Sequence, residues 1–220
     1  NIYFYIFLFI LLTTFNNFKV SKKFKTFFEI KTLSVYGINE NLTNKIYDDL
    51  SFLLDQNLLF IDKKKILNVI KSNDYIENYV VLKKYPSELE VYANHTELLG
   101  QTFIEGEKYY LGFNGKLIDH KIYLESKNLP NIYGSFKIED FINLIKWMKN
   151  NDINTEQFSD FYFFRSKRWD IKSKNNTLIK LPSSNLEPIS DYIKNFLEDK
   201  KYKKKIIDLR VPNQVIINNG

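Results

Sequence analysis

The chain contains no cysteine. That excludes disulfides, a thiolate nucleophile and any cysteine-ligated metal. Histidine is almost as scarce, with only His95 and His120. A histidine metal site or a Ser-His-Asp triad would have to use one of them, and neither stands in a recognisable motif. Each reads as a surface histidine more readily than as a base. The seven glycines do not cluster, so no glycine-rich loop is present to cradle a phosphate. Arginine is confined to Arg165, Arg168 and Arg210, although the net charge is +6. Nucleic-acid recognition favours arginine together with a groove or stacking motif. Here the positive charge is lysine, spread along the chain, with one dense run at Lys200, Lys201, Lys203, Lys204 and Lys205 that reads as a solvated flank. The excess of Lys, Asn, Ile, Tyr and Phe over Ala, Gly and Arg looks like AT-biased coding, which weakens the basicity as a functional signal. No nucleic-acid partner and no cofactor are expected.

Carboxylates are plentiful: Asp48-Asp49, Glu187 with Asp191, and Glu198-Asp199. Acid pairs on helices are usually solvated faces. Acid–base work needs one carboxyl raised by an apolar pocket, which a sequence does not display. The expectation is a protein that binds and does not catalyse.

What is present first is an apolar run, Ile2 to Leu12, extended by Thr13, Thr14 and Phe15 and closed by Asn16-Asn17. It covers about 20 Å as a helix, against a hydrocarbon core of about 30 Å. The chain starts at Asn1 and not at Met, so the expectation is a membrane anchor truncated at its N-terminus. A cleaved signal peptide would want a small-residue cleavage site, which Thr13 to Asn17 lacks. A buried core helix would be apolar on one stripe, not all round. Lys19, Lys22, Lys23 and Lys25 follow the run, and by charge alone they would hold that flank in the cytoplasm.

Downstream, Phe27 to Tyr36 alternates as a strand ended by Gly37. Leu42, Ile46, Leu50 and Leu53 recur at helical spacing behind Asn41 as N-cap. Asp62 caps a second helix striped by Ile66, Leu67 and Ile70. Tyr75 to Lys84 is a strand, Tyr85-Pro86-Ser87 a turn, and Leu89, Val91 and Ala93 alternate in a third strand. The order is strand, helix, helix, strand, strand. Its core should hold Leu33, Val35, Ile46, Leu50, Leu67, Ile70, Val80, Leu89 and Val91.

A second region has different punctuation. Glu105-Gly106 and Asn114-Gly115 mark hairpin turns around a strand at Lys108 to Phe113, continued by Leu117-Ile118. Leu129 to Gly134 is a loop, and Ile138 to Asn150 a helix with Phe141, Ile142, Ile145 and Met148 on one face. Phe158 to Phe164, Arg168 to Lys172 and Thr177 to Leu181 are short strands. Leu186 to Leu197 is a last helix, and strands at Ile206 to Val211 and Gln214 to Ile217 close the chain. The fold class is α+β. The final strand sits at a sheet edge, and an edge offers unpaired backbone groups to a partner. An ordinary edge protected by Lys203 to Lys205 and Pro212 accounts for the same pattern.

Four motifs carry a resemblance: Leu33-Ser34-Val35-Tyr36-Gly37, Tyr85-Pro86-Ser87-Glu88-Leu89, Leu129-Pro130-Asn131-Ile132-Tyr133-Gly134 and Ile207-Asp208-Leu209-Arg210. In this order, behind a single anchor, the chain resembles the FtsQ/DivIB family of bacterial cell-division proteins. There are two departures. Asn94-His95-Thr96-Glu97 stands where the family has Glu-Arg-x-Pro, and Val211-Pro212 stands where it often has Tyr. The resemblance implies an anchor at 1–17, with residues 1–15 in the membrane. It implies a connector at 18–26, a POTRA domain at 27–97 and a β-rich domain with two helices at 98–220. It also implies a short cytoplasmic tail with both domains in the periplasm, against the charge reading. The implied function is a single-pass inner-membrane scaffold at the division septum. The terminal strand region would receive FtsB- and FtsL-like proteins, and the POTRA domain other division proteins. The implied partner-binding residues are Arg168, Trp169, Asp208, Arg210, Val211, Gln214, Val215 and Ile217. The alternative is a POTRA-bearing outer-membrane assembly or secretion factor that binds unfolded β segments.

Overall fold

The computed structural model describes residues 2–15, 26–121 and 128–220. The basic connector, with Lys19, Lys22, Lys23 and Lys25, lies outside these apart from Thr26. The apolar run forms helix α1 (Ile2–Phe15, 14 residues). Its side chains from Ile2 to Leu11 are all apolar and exposed. The length, about 21 Å, falls short of a bilayer core. No helix among the described residues is long and apolar enough to cross a membrane. The transmembrane helix expected from the sequence is therefore represented only by this shorter helix.

The chain divides into two compact units, Asn1–His95 and Thr96–Gly220. In the first, β1 (Thr32–Tyr36), α2 (Glu40–Leu50), α3 (Lys63–Lys71), β2 (Ile76–Lys84) and β3 (Glu88–His95) follow the expected order. Phe27 to Lys31 does not extend β1: of these residues only Glu29 forms a β-bridge, to Asn57. The sheet runs β1-β3-β2, with β1 parallel to β3 and β2 antiparallel to it. The register sets Leu33 beside Leu89 and Val35 beside Val91. Because side chains alternate across a strand, all four then point to one face, which Leu42, Ile46 and Leu50 of α2 and Ile66 and Ile70 of α3 close. The N-cap of α2 is Asn39, whose Oδ1 accepts from the Leu42 N–H at 3.0 Å, and not Asn41. Asp62 caps α3 as expected, accepting from the Lys64 N–H at 2.9 Å.

Two expected core residues lie elsewhere. Val80 is 55% exposed. It pairs with Tyr92, which stacks on Tyr36 on the open face of the sheet. Alternation sends its neighbours Tyr79 and Val81 towards the helices instead. Leu67 is half-buried beside β2.

The second unit is a nine-stranded mixed sheet. Its strands are β4 (Leu98–Ile104), β5 (Glu107–Gly112), β6 (Leu117–Asp119), β7 (Asn131–Tyr133), β8 (Phe158–Phe164), β9 (Arg168–Ser173), β10 (Leu178–Lys180), β11 (Lys205–Asp208) and β12 (Ile216–Asn219). Their spatial order is β12-β11-β10-β9-β8-β7-β4-β5-β6. Helices α4 (Ile138–Asn150) and α5 (Ser190–Glu198) share one core with it through Phe141, Ile145, Met148, Ile193 and Phe196. The expected last helix begins later than its sequence pattern, because Glu187–Ile189 is a 3-10 turn containing Pro188.

Leu129 to Gly134 is not wholly a loop. It holds β7, which is parallel to both β4 and β8. Three residues are too few to show a period. Gly134 ends it at φ +104°, where a Cβ would lie 2.4 Å from the Phe163 carbonyl oxygen. The glycine of the first motif is similar: Gly37 has φ +95°, with the Ala93 carbonyl oxygen 2.4 Å from a Cβ there. Both glycines are thus required by close backbone approach as well as by positive φ.

Leu50 is fully buried. Leu50→Ala should destabilise the chain by about 2–5 kcal/mol in urea unfolding. Gly134→Ala should cost about 1–3 kcal/mol, and an unchanged midpoint would contradict the contact with Phe163.

Candidate partner-binding interface

The sheet of the second unit carries one apolar row straight across six strands. Ile132, Phe161, Ile171, Ile179, Ile207 and Ile217 are successive register partners. The first five are 0–1% exposed, whereas Ile217 is 44% exposed. The row stops at β12 because no strand among the described residues lies beyond it. One side of β12 is paired to β11, and the other side is an open edge.

The hairpin that makes this edge is built locally. β11 ends at Asp208, earlier than the Val211 expected, and β12 begins at Ile216, later than Gln214. Between them the Gln214 N–H donates to the Val211 carbonyl at 3.2 Å. Pro212 and Asn213 form the bend, and Asn213 has φ +59°. Proline followed by a residue of positive φ is the type II preference. Gly220 N–H donates to the Lys204 carbonyl at 3.0 Å and the Lys205 Nζ donates to Asn219 Oδ1, closing the far end.

On the opposite face a polar row crosses the same strands, with Tyr162, Asp170, Lys180 and Asp208 in register and apolar Ile216 at its end. Asp208 accepts from the Arg210 backbone N–H at 3.1 Å and from its Nε at 2.8 Å. These bonds to Arg210 hold the Asp208 carboxyl below its ordinary range. Arg210 is therefore already paired inside the chain and is not a free cation awaiting a partner. Arg168 lies over the Phe164 ring at 4.3 Å, with its Nε 3.4 Å from Asp170 Oδ1. Asp170 is 4% exposed. Burial pushes its carboxyl up, more than Arg168, Lys180 and Arg210 pull it down.

The eight residues named from the sequence do not form one patch. Trp169 is 7% exposed and packs on Phe163, Phe141 and Phe136 with ring centroids 4.9–5.7 Å apart. It belongs to the core. Arg168 and Asp208 hold the polar face together. Val211, Gln214, Val215 and Ile217 are exposed on the hairpin, and Arg210 borders them. Sequence reasoning missed Ile216, 43% exposed in β12, and Tyr192, 51% exposed on α5. Tyr192, Ile189, Pro182, Leu209, Val211 and Val215 line a cleft of about 230 Å³ beside the hairpin. Tyr192 stands one residue before buried Ile193 in an amphipathic helix, so its exposure was readable, though not its nearness to the hairpin.

Asp48, Asp49, Glu187, Asp191 and Glu198 are exposed, and Asp191 and Asp199 are ion-paired to Lys194 and Lys201. His120 Nδ1 is 3.2 Å from the Lys108 carbonyl. His95 closes β3.

Comparison with known proteins defines the class first. Residues 28–93 match the family model of the POTRA domain, FtsQ-type, the span of β1 to β3 with both helices. The chain is 28% identical over 109 residues to "Cell division protein DivIB" of Clostridium botulinum (strain Loch Maree / Type A3), covering 49% of this chain and 42% of that protein. It is 22% identical over 167 residues to "Cell division protein FtsQ" of Bradyrhizobium diazoefficiens, covering 73% of this chain and 48% of that protein. Residues 28–93 thus match an FtsQ-type POTRA domain, and the chain is similar to proteins named FtsQ and DivIB for cell division. The aligned part is under half the length of these relatives.

Opposed carboxyl shifts make a pH test. The lowered Asp208 stabilises the fold above the unfolded carboxyl value of about 3.9, and that stability is lost as pH falls through the folded value. Asp208→Asn should flatten the acid limb below about pH 4. The raised Asp170 does the reverse: its contribution declines as pH rises from about 3.9 upward. Asp170→Asn should therefore gain on the native chain between acid and neutral pH. Parallel stability curves for native chain and variants would contradict both assignments.

Proposed function

We propose that the chain is a non-enzymatic scaffold of bacterial cell division whose terminal strand β12 takes up an extended segment of another division protein. The observation that carries this is the apolar row that runs buried across five strands and ends exposed at Ile217. A strand added at that edge would extend the row by one residue and satisfy the open backbone groups. Val211, Val215 and Tyr192 beside it provide further apolar surface for the same segment. The segment comes from small division proteins of the FtsB and FtsL type, and the POTRA unit contacts other members of the division machinery. The similarity to proteins named for cell division supports this over an outer-membrane assembly factor.

In this reading α1 sits in the cytoplasmic membrane at the septum, with the two folded units on its outer side. Its ten exposed apolar side chains, Ile2 to Leu11, and its lack of charge support membrane insertion. The scaffold serves septal peptidoglycan synthesis by gathering its partners there.

A charge turned inward on an edge strand blocks further pairing while the strand keeps its existing partner. Ile217→Lys should lower capture of the small division proteins at least tenfold in a pull-down from dividing cells, with an unchanged thermal midpoint. A photo-crosslinker at Ile216 should trap one of them. Full capture by Ile217→Lys would rule out β12 as the interface.

A further inference from the structure

Among the described residues no large apolar side chain is more exposed than Phe60, at 83%. The exposure is built in. Leu58–Phe60 is a single 3-10 turn capped by Asn57, whose Oδ1 accepts from the Leu59 N–H at 3.0 Å. Positions three apart share a side of such a turn. Leu58 and Ile61 therefore go inward, and Leu59 and Phe60 are turned out. The Leu58 N–H donates to the Phe28 carbonyl at 2.7 Å, which lays Phe27-Phe28 beside the turn. Phe27 meets Phe28 edge-on at 5.0 Å, and Phe28 meets Tyr85 at 6.2 Å. Phe27 and Tyr85 are exposed as well. Three stretches of the chain thus contribute to one apolar, mostly aromatic surface. Its rim is basic. The Lys83 Nζ donates to the Leu59 carbonyl at 3.5 Å. Lys63, Lys64, Lys83 and Tyr85 line a groove of about 490 Å³ between α3 and β2. None of these three lysines forms an ion pair among the described residues. Burial and the nearby Lys63 charge push the Lys83 ammonium down.

We infer that this surface docks the first unit on an anionic lipid bilayer. Phe27, Leu59, Phe60 and Tyr85 enter the headgroup region, and Lys63, Lys64 and Lys83 meet lipid phosphates beside them. The inference rests on the reading of α1 as a membrane segment. Aromatic rings next to lysines suit the interface, which is apolar on one side and wet and negative on the other. Lipid contact also relieves the repulsion between Lys63 and Lys83. A bilayer is favoured over a protein partner by the tether. Only residues 16–25 separate Phe15 of α1 from Thr26, a reach of at most about 40 Å, and four of them are lysine, at Lys19, Lys22, Lys23 and Lys25. A surface joined to the membrane by so short a link meets lipid at high effective concentration. Phe27 and Phe28 stand where that link enters the folded unit, so the docking face begins where the tether ends.

The chain has no cysteine, so Phe60→Cys and, as a control, Asn78→Cys each create one labelling position. Asn78 is exposed near the far end of β2, about 20 Å from Tyr85 by strand rise. The whole 220-residue chain, labelled with the fluorophore NBD, is placed in vesicles of equal parts phosphatidylglycerol and phosphatidylcholine. A lipid spin-labelled at its headgroup should quench the label at position 60 at least threefold more than the label at position 78. Vesicles of phosphatidylcholine alone should remove at least half of that quenching, and Lys63→Gln with Lys83→Gln should do the same. Phe27→Ser should lower it at an unchanged thermal midpoint. A chain that does not float with the vesicles would overturn this inference together with the reading of α1. Flotation with equal quenching at the two positions would overturn this inference alone. Shielding of position 60 that rises with the protein-to-lipid ratio and excludes the quencher would make a second copy of the chain the occupant, and would overturn it too.

Discussion

The second unit depends on one physical arrangement, the row of Ile132, Phe161, Ile171, Ile179 and Ile207 that crosses β7 to β11 with almost no exposure. Each of these residues is the inward member of a period-two alternation, so a slip of one residue in any strand would put it on the solvent face. Phe141 meets Phe161 edge-on at 5.1 Å and packs on Trp169 at 5.4 Å, which fixes α4 against the row. The register that builds this core also builds the opposite face. It brings Asp170, Lys180 and Asp208 into line, and the Arg168 and Arg210 side chains fold over them. Core and polar row are two consequences of one set of pairings.

The same constraint explains why an open edge is present at all. A sheet that grows by pairing has to end somewhere, and here it ends with the apolar row unfinished at Ile217. The chain limits the hazard by keeping β12 to four residues, with Asn218 and Asn219 polar and Lys205 attached to Asn219. The first unit ends differently, with a longer strand, β2, and a lysine rim. The two edges thus differ in chemistry, one apolar and one basic.

The resemblance motifs acquire physical content from the fold. Gly37 and Gly134 are both places where a side chain would collide with a carbonyl oxygen. The Asp-Leu-Arg motif is a self-contained ion pair around buried Leu209: Asp208 and Arg210 are bonded to each other while Leu209 is 3% exposed. Its arginine steadies the end of β11. Trp169, named from the sequence beside Arg168, fills the core.

Much was legible in the sequence. Periodicity gave the helix at Ile138–Asn150 and the strand at Phe158–Phe164 at their observed bounds, because long amphipathic segments bury one face whatever they pack on. Asp62 and Glu105-Gly106 acted through local chemistry alone, a cap and a turn with φ of +52° at Glu105. What the sequence could not decide was which strands meet. β7 is too short to show a period, and it became a strand because β4 and β8 hold it on both sides. Val80 has the composition of a core residue but faces outward through the register of β2 on β3. Arg210, implied to bind a partner, is bonded to Asp208 two residues away. Alternation, caps and turns are properties of neighbouring residues, so the sequence determined them. Edge, register and burial are properties of segments far apart in the chain, and only the tertiary structure decided those.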